Sequence, residues 1–269
     1  MHYDPVKNIF ARIIKRYPFL RIIFYKILDL MFLRSWYVRR ELKKIRNTFG
    51  EKKINIYDAG SGYGQYTYFM SKKLQPCEIY SVDVKTDWIN DCREFFSSQK
   101  ISNVAFEVED LTNIKHTDKF DLIVCVDVME HILEDEQVFR NYSASLKSGG
   151  MLVISTPSDK GGSDVHGDDQ QSFIEEHVRD GYNIDDIKAK LLRNGFSRAE
   201  AKYSYGTPGK ISWRLSMKYP ISALGYTKAF FVVLPFYYLL FYPVCFVLNY
   251  FDVNMTHPTG TGLIVKAWK

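Results

Sequence analysis

Short apolar runs alternate with amphipathic segments through the middle of the chain. Between residues 53 and 155 the short runs predict strands, and the three- and four-residue periodicity between them predicts helices. Strands separated by helices favour a parallel, doubly wound α/β sheet with right-handed crossovers. The predicted strands are 54–58, 78–83, 104–108, 120–126 and 151–155, and the predicted helices are 65–74, 86–98 and 135–146.

The alternation resumes after a polar interruption. Residues 157–169 are rich in Gly, Ser and Asp, which predicts a loop or lid. A helix is predicted over 184–194, a sixth strand over 197–205 and a seventh over 262–268. An apolar insertion separates these last two strands, so the end of the chain has to return to the sheet.

The N-terminal segment has a helical period and a strong positive charge. Apolar residues recur at three- and four-residue intervals over 9–42, and Pro18 is expected to divide the segment into two helices. Residues 1–46 hold twelve Lys or Arg and three acids, a local charge of +9, so the net charge of +5 leaves −4 on the remainder. We predict a basic amphipathic helical arm over 1–50 that binds a membrane surface, with a helix packed on the core as the alternative.

The insertion over 207–259 contains a long uncharged stretch. Residues 229–251 include no charged side chain and could cross a membrane by length and polarity. However, Pro235 and Pro243 each remove a backbone donor, and a single crossing would leave the seventh strand on the wrong side. We therefore predict an insertion that enters and leaves on one face of the bilayer, with its tyrosines at the interface. A buried core hairpin is the alternative.

The four cysteines have no paired spacing and no accompanying histidines. They are expected to be buried thiols in a reducing compartment and not a disulfide framework or zinc site. No secretory signal is recognisable, because Lys and Arg interrupt the first apolar stretch. We expect a cytoplasmic protein that is peripheral or monotopic on the inner face of the membrane.

A glycine-rich turn follows the first predicted strand. The sequence Asp58-Ala59-Gly60-Ser61-Gly62-Tyr63-Gly64 lets backbone approach a ligand closely, because glycine has no Cβ and tolerates positive φ. A dinucleotide site has the similar form G-x-G-x-x-G. The leading acid favours a ligand with an ammonium group over a pyrophosphate. Asp83, at the end of the second strand, could bind ribose hydroxyls in either kind of site.

Together with Val82-Asp83, Glu109-Asp110-Leu111 and the run from Phe120 to His131, this turn resembles the class I S-adenosylmethionine-dependent methyltransferases, especially the quinone-biosynthesis O-methyltransferases. The resemblance covers about residues 53–155 and the last strand. It implies a seven-stranded Rossmann-like doubly wound sheet with the last strand antiparallel, formed by 51–206 and 260–269. It also implies that S-adenosyl-L-methionine contacts Asp58, Gly60, Ser61, Gly62, Gly64, Asp83, Val84, Asp110, Leu111 and Asp127. Helix capping is the alternative for Asp110 and Asp127.

Two clusters are candidates for the methyl-acceptor side. His131 is the first candidate base, with Glu130 beside the substrate. His177 is a competing base, and Arg179 with Tyr182 could bind an anionic head group. The resemblance to quinone O-methyltransferases also implies that Asp127, Glu130 and His131 could hold a divalent metal, although we predict no metal site. The alternatives are a helix start whose side chains cap and pack, and a solvated loop.

These features predict an enzyme that methylates a lipophilic or membrane-embedded small molecule, most simply at oxygen. A quinone, a polyene or a lipid-linked precursor would fit, with residues 1–46 and 229–251 on the membrane. One alternative is a non-catalytic membrane module that binds S-adenosylmethionine. Another is a nucleic-acid methyltransferase, but the aromatic residues lie in continuous apolar runs and not as exposed stacking groups. We therefore expect no nucleic-acid partner.

Overall fold

The computed structural model describes residues 17–161 and 178–269. Seven strands form one sheet: β1 (Ile54–Ala59), β2 (Cys77–Asp83), β3 (Val104–Val108), β4 (Phe120–Val126), β5 (Leu146–Pro157), β6 (Arg198–Ser204) and β7 (Gly262–Trp268). Their order is β3-β2-β1-β4-β5-β7-β6. Strands β1 to β5 pair in parallel, whereas β7 is antiparallel to both β5 and β6. The predicted seven-stranded sheet with an antiparallel last strand is confirmed.

The described helices lie before, between and after these strands. They are α1 (Pro18–Met31), α2 (Leu33–Phe49), α3 (Gln65–Lys73), α4 (Thr86–Ser98), α5 (Asp135–Ser145), α6 (Ile184–Arg193), α7 (Thr207–Trp213), α8 (Tyr219–Tyr226) and α9 (Phe230–Asn254). A π-helical turn over Arg214–Lys218 joins α7 to α8, and 3-10 turns follow β3 at Leu111–Asn113 and β4 at Met129–His131.

The start of β5 differs from the prediction. The sequence suggested that Gly149-Gly150 ends a helix before the strand, yet α5 ends at Ser145 and β5 begins at Leu146. Leu146 pairs with Phe120, and the register shifts before the next pair, Leu122 with Met151. This irregularity accommodates the two glycines inside the strand, with Gly149 at a φ of +74°. The other strand boundaries lie within two residues of the predicted ones.

Both faces of the sheet are covered by helices. One face packs its alternate strand residues against α5 and α6, including Val138, Phe139 and Leu191. The opposite face packs against α2 and α3, including Leu42 and Met70. Helix α2 is therefore part of the core. For this half of the basic arm, the alternative prediction of a helix packed on the core is correct.

Helix α1 has two different faces. Arg21 and Tyr25 are buried against α4, where the guanidinium of Arg21 pairs with Asp91 at 2.5 Å. The opposite face exposes Phe19, Ile23, Ile27 and Leu30. An apolar face in solvent is the pattern predicted for a helix at a membrane interface. Residues 1–16, which hold four of the arm's basic side chains, lie outside the described residues.

The insertion between β6 and β7 is a helical hairpin. Ser212 Oγ donates to the Cys245 carbonyl, whereas Tyr238 Oη donates to the Ser216 carbonyl, so α9 runs antiparallel to the segment from α7 to α8. At the base of the hairpin, Asp252 accepts from Gly209 N at 2.8 Å and from Tyr37 Oη at 2.7 Å. The hairpin therefore leaves the sheet and returns to it at one place.

Helix α9 forms most of the apolar insertion. Its 25 residues run continuously through Pro235 and Pro243. It is long and apolar enough to cross a membrane, and only 6% of its most apolar window is buried, so the alternative of a buried core hairpin is wrong. The exposed apolar surface also continues onto α8, where Tyr219, Ile221 and Tyr226 face outward.

Tyrosines from α9 complete the backbone hydrogen bonding of the facing helix. Pro220 has no N–H, so it leaves a carbonyl one turn earlier without its helical donor. Tyr237 Oη donates to the Leu215 carbonyl at 2.8 Å, and Tyr238 Oη donates to that of Ser216 at 2.9 Å. Tyr242 donates to the Leu30 carbonyl at 2.6 Å. All three side chains are half-buried and donate to backbone carbonyls of the protein, and their place in an interfacial belt stays a prediction.

Candidate active site

The site lies at the carboxyl edge of the central strands. β1 lies between β2 and β4, so the loops that follow these three strands meet at that edge. The connections leave β1 in opposite directions, which opens a crevice of the kind that binds ligands in doubly wound sheets. The glycine turn, Asp83 and Asp127 all follow these strands and come together here.

The glycine turn needs the absence of side chains. Gly60, Gly62 and Gly64 have φ angles of +78°, +53° and +76°, a region that L residues with side chains rarely adopt. A Cβ added to Gly60 would lie 2.3 Å from Cγ2 of Val128. The Gly60 and Ser61 amides both donate to the Val82 carbonyl, which ties the turn to β2. The turn therefore adopts the positive φ angles that glycine tolerates, and at Gly60 Val128 occupies the space of a side chain.

Three groups around the turn fit a nucleoside with a polar tail. Ser61 Oγ is buried without a hydrogen-bond partner among the described residues. Asp83 accepts from the amides of Gly62 and Lys85, each at 2.9 Å, so its carboxylate is held in place beside the turn. Val84 is 61% exposed next to it, an apolar side chain available to a flat ring. These groups suit the ribose and adenine of S-adenosylmethionine.

Asp58 lies behind the turn. It is almost fully buried and accepts from Thr67 Oγ1 and, at 3.5 Å, from Ser81 Oγ. Burial raises the pKa of Asp58 to about 6, although the two hydroxyl hydrogen bonds oppose the shift. Its observed contacts are therefore internal, and the predicted contact with the cofactor ammonium stays a prediction.

Asp110 caps the turn after β3, as the alternative interpretation proposed. Its Oδ1 accepts from Thr112 N and Thr112 Oγ1, each at 2.9 Å. Among the described residues Oδ2 has no hydrogen-bond partner, so capping leaves one oxygen for a ligand. The side chain of Leu111 is buried in the core at the same turn. The adenine contact predicted for this pair stays a prediction.

Asp127 occupies an unusual position at the end of β4. Its φ is +51°, and its carboxylate forms an ion pair with Arg34 of α2. Nε of Arg34 is buried without a partner among the described residues. In the sequence Arg34 contributes only to the charge of the arm, since no local motif marks it. Its place in the site depends on α2 packing against the sheet.

A second contribution from the arm holds the glycine turn from outside. The Tyr63 carbonyl accepts from Arg21 Nη2 at 2.7 Å and from Tyr25 Oη. Gln65, the first residue of α3, donates to Asp29 at 2.8 Å. No sequence motif indicates these contacts. They make α1 a support of the turn as well as a surface helix.

Glu130 and His131 differ in burial, although they are neighbours in the sequence. Glu130 is 1% exposed and accepts from Thr156 Oγ1 at 3.1 Å, so it faces the interior and not the mouth of the site. His131 is exposed one residue later. Among residues 17–161 and 178–269, no group of three or more His, Cys, Asp or Glu side chains could hold a metal ion. The possible metal set of Asp127, Glu130 and His131 is therefore not assembled in this structure.

Arg179 and Tyr182 belong to a largely buried network. Arg179 pairs with Asp135 and donates to the Ile132 carbonyl at 2.6 Å. Tyr182 Oη donates to the same Asp135 carboxylate at 2.9 Å, and Lys190 pairs with it at 2.8 Å. The ion pairs hold the pKa of Asp135 below its usual value despite burial, which opposes them. Binding an anionic head group through Arg179 would require opening this network. His177 lies outside the described residues.

Comparison with known proteins identifies the family. The family described as "Methyltransferase domain" matches residues 50–193, more than half of the chain. The chain belongs to the class I S-adenosylmethionine-dependent methyltransferases. This methyltransferase is 26% identical over 116 residues to the ubiquinone biosynthesis O-methyltransferase of Coxiella burnetii, a match that covers 43% of the chain and 48% of that protein.

Other methyltransferases show the breadth of the family. The chain is 28% identical over 158 residues to phosphoethanolamine N-methyltransferase 3 of Arabidopsis thaliana, which covers 55% of this chain and 29% of that protein. It therefore spans about half or less of the length of these two relatives. A solved structure of Haemonchus contortus phosphoethanolamine N-methyltransferase 2 has a TM-score of 0.58 and 18% identity, and covers 86% of this chain and 52% of that one. This likeness confirms the methyltransferase fold.

Proposed function

We propose that the protein transfers a methyl group from S-adenosylmethionine to a lipophilic small molecule presented at a membrane surface. Methyl transfer is supported by the glycine turn, whose Gly62 amide donates to Asp83, in a chain of this family. When bound, S-adenosylmethionine supplies an electrophilic methyl group on a positively charged sulfur. The task of the protein is then mainly to bind, align and exclude water.

The cofactor would lie across the residues that the three loops bring together. Asp83 would accept from the ribose hydroxyls, and Val84 would cover the adenine. The methionine end of the cofactor carries both an ammonium and a carboxylate. Asp127 and Arg34, now paired with each other, offer one partner for each of these charges. Ser61 Oγ adds an unpaired hydroxyl at the same turn.

His131 is the candidate base on the acceptor side. It is exposed and follows β4 by five residues, close in sequence to Asp127 at the site. For a hydroxyl acceptor, a ring nitrogen of His131 would take the proton as the acceptor oxygen gains the methyl group. We propose Glu130 as a support of this turn through Thr156 and not as a substrate contact.

The placement of the hairpin supports a lipophilic acceptor. Ser204, the last residue of β6, and Gly262, the first of β7, are register partners, and Gly262 also pairs with Pro157 at the end of β5. The hairpin therefore emerges from the sheet edge that carries the cofactor turn. Phe236, Leu239 and Leu240 of α9 are 68–77% exposed. A leaflet that covers this surface would lie beside the mouth of the site, on the cytoplasmic side.

Calorimetry with S-adenosylmethionine tests the cofactor site directly. We expect saturable binding by the full chain, and absence of binding would overturn the proposed activity. The acceptor is sought by comparing lipid extracts from cells with and without the gene for an added methylene. A methylated nucleic acid with unchanged lipids would contradict the lipophilic acceptor.

The base is tested once the acceptor is known. His131→Ala should lower kcat about 10²–10⁴-fold while cofactor binding persists, as expected for loss of a general base. The control is Leu133→Ala, an exposed side chain two residues along the same loop, which should leave kcat unchanged. Undiminished turnover by His131→Ala would remove the base role.

A further inference from the structure

A basic groove runs between α1, α2 and the end of α9. Its cavity volume is about 570 Å³. Five cationic side chains and one acid line it, an excess of four positive charges: Lys26, Arg39, Arg40, Lys43, Lys44 and Asp29. The groove lies on the arm side of the molecule and includes none of the residues placed in the cofactor site. Its charge makes an anion the natural ligand.

Of these five cations two are fixed, two are unpaired, and the fifth, Lys44, pairs with Glu41 at 3.5 Å. Arg39 pairs with Asp29 at 2.7 Å and lies 4.5 Å from the centre of the Phe69 ring. Arg40 donates to the Val253 carbonyl. Lys26 and Lys43 are exposed and have no ion-pair partner among the described residues. The groove therefore combines a fixed pair of guanidinium groups with lysines whose charge is not neutralised.

Apolar surface borders the groove on two sides. Trp36 closes one end, with its indole N–H donating to the Leu30 carbonyl at 3.0 Å and its ring 4.9 Å from that of Phe246. Leu30 and Ile27 of α1 are each about 45% exposed, and Phe246 of α9, beside Trp36, is 44% exposed. A ligand that joins a phosphate to hydrocarbon chains matches this juxtaposition of charge and apolar surface.

We propose that this groove binds the phosphate of an anionic phospholipid, whose acyl chains lie against α1 and α9. The bound lipid fixes how the protein sits on the leaflet, because the groove and the hairpin then contact one membrane at two points. The inference rests on the membrane placement proposed above and is independent of methyl transfer. It adds a ligand site that is separate from the cofactor turn.

Vesicle flotation of the full chain tests the groove. The vesicles contain phosphatidylcholine alone or phosphatidylcholine mixed with phosphatidylglycerol. We expect Lys26→Gln/Lys43→Gln to lower the partition coefficient on the anionic vesicles about 25-fold, since each lysine near such a surface contributes about fivefold. The control is Lys72→Gln/Lys73→Gln, which removes two exposed charges from the end of α3 and should retain binding.

Each other outcome is decisive. An equal loss in both variants would show a general charge effect and overturn the groove. Saturable binding of glycerol 3-phosphate without flotation on the anionic vesicles would assign the site to a free phosphate, and binding of polyuridylate without such flotation would assign it to RNA; either overturns the lipid. Equal flotation on neutral and anionic vesicles overturns the groove alone, whereas no flotation on either also overturns the membrane placement. Calorimetry with S-adenosylmethionine should be unchanged in all variants.

Discussion

Strand β4 and helix α9 are both strongly apolar, yet they lie in opposite surroundings. From Phe120 to Cys125 every residue of β4 is buried, whereas α9 buries 6% of its most apolar window. The difference follows from the backbone. A strand needs neighbours for its hydrogen bonds, and β1 and β5 bring covering helices with them. A helix forms its backbone hydrogen bonds internally, so α9 needs no neighbouring strands and its apolar side chains stay exposed.

Paired truncations in β4 and α9 should give the largest difference in stability. Leu122→Ala in β4 should lower the free energy of unfolding by about 2–5 kcal/mol, because it opens a cavity in a closed core. Leu239→Ala in α9, where the side chain is 77% exposed, should change it by less than about 0.5 kcal/mol. Urea unfolding measures both. A comparable loss for Leu239→Ala would mean that protein covers α9.

A substitution in the glycine turn should give the next largest loss of stability. Gly60→Ala adds a Cβ at positive φ and drives it into Val128, so we expect a cost of about 2–5 kcal/mol and loss of S-adenosylmethionine binding. Gly149→Ala is the matched control, since its φ is +74° but nothing lies within 4 Å of the added Cβ. It should cost about 1–2 kcal/mol and leave cofactor affinity unchanged. Equal effects would contradict a steric role for Gly60.

The burial of Asp58 also predicts that the free energy of unfolding depends on pH. Burial raises the pKa of Asp58 to about 6, above the value of about 3.9 expected in the unfolded chain. The native state therefore binds the proton more tightly, so the contribution of Asp58 to stability falls as pH rises from about 4 to 6. Asp58→Asn should flatten the dependence in that window, measured by urea unfolding. An unchanged slope would contradict the raised pKa.

The smallest effect concerns polar groups within the hairpin. Tyr237→Phe should lower the free energy of unfolding by about 0.5–1.5 kcal/mol, since it removes the donor to the Leu215 carbonyl. Tyr250→Phe is the control, because Tyr250 is 57% exposed and its hydroxyl has no hydrogen bond among the described residues. Thermal unfolding compares the two. Equal behaviour would contradict the role of Tyr237 in closing the hairpin.

Local patterns predicted the parts of the site that depend on one strand and its loop. Gly60 to Gly64 and Asp83 lie together after β1 and β2, as the strand–turn–helix pattern predicted, because the carboxyl ends of parallel strands meet at one edge. The same reasoning failed for Arg34 and for the burial of Glu130. Those positions depend on how α2 packs and how the turn after β4 rotates, which no periodicity records.

The succession of strands and helices along the chain, the glycine turn and the place of the apolar insertion could all be predicted from the sequence. Each depends on local chemistry: glycines that tolerate positive φ, the alternation of apolar and polar residues, and the absence of charge. The structure was needed to show that α2 is a core helix, that Arg34 reaches Asp127, and that α9 runs unbroken through two prolines. These depend on contacts between segments far apart in the chain, where packing and hydrogen bonding outweigh local preference.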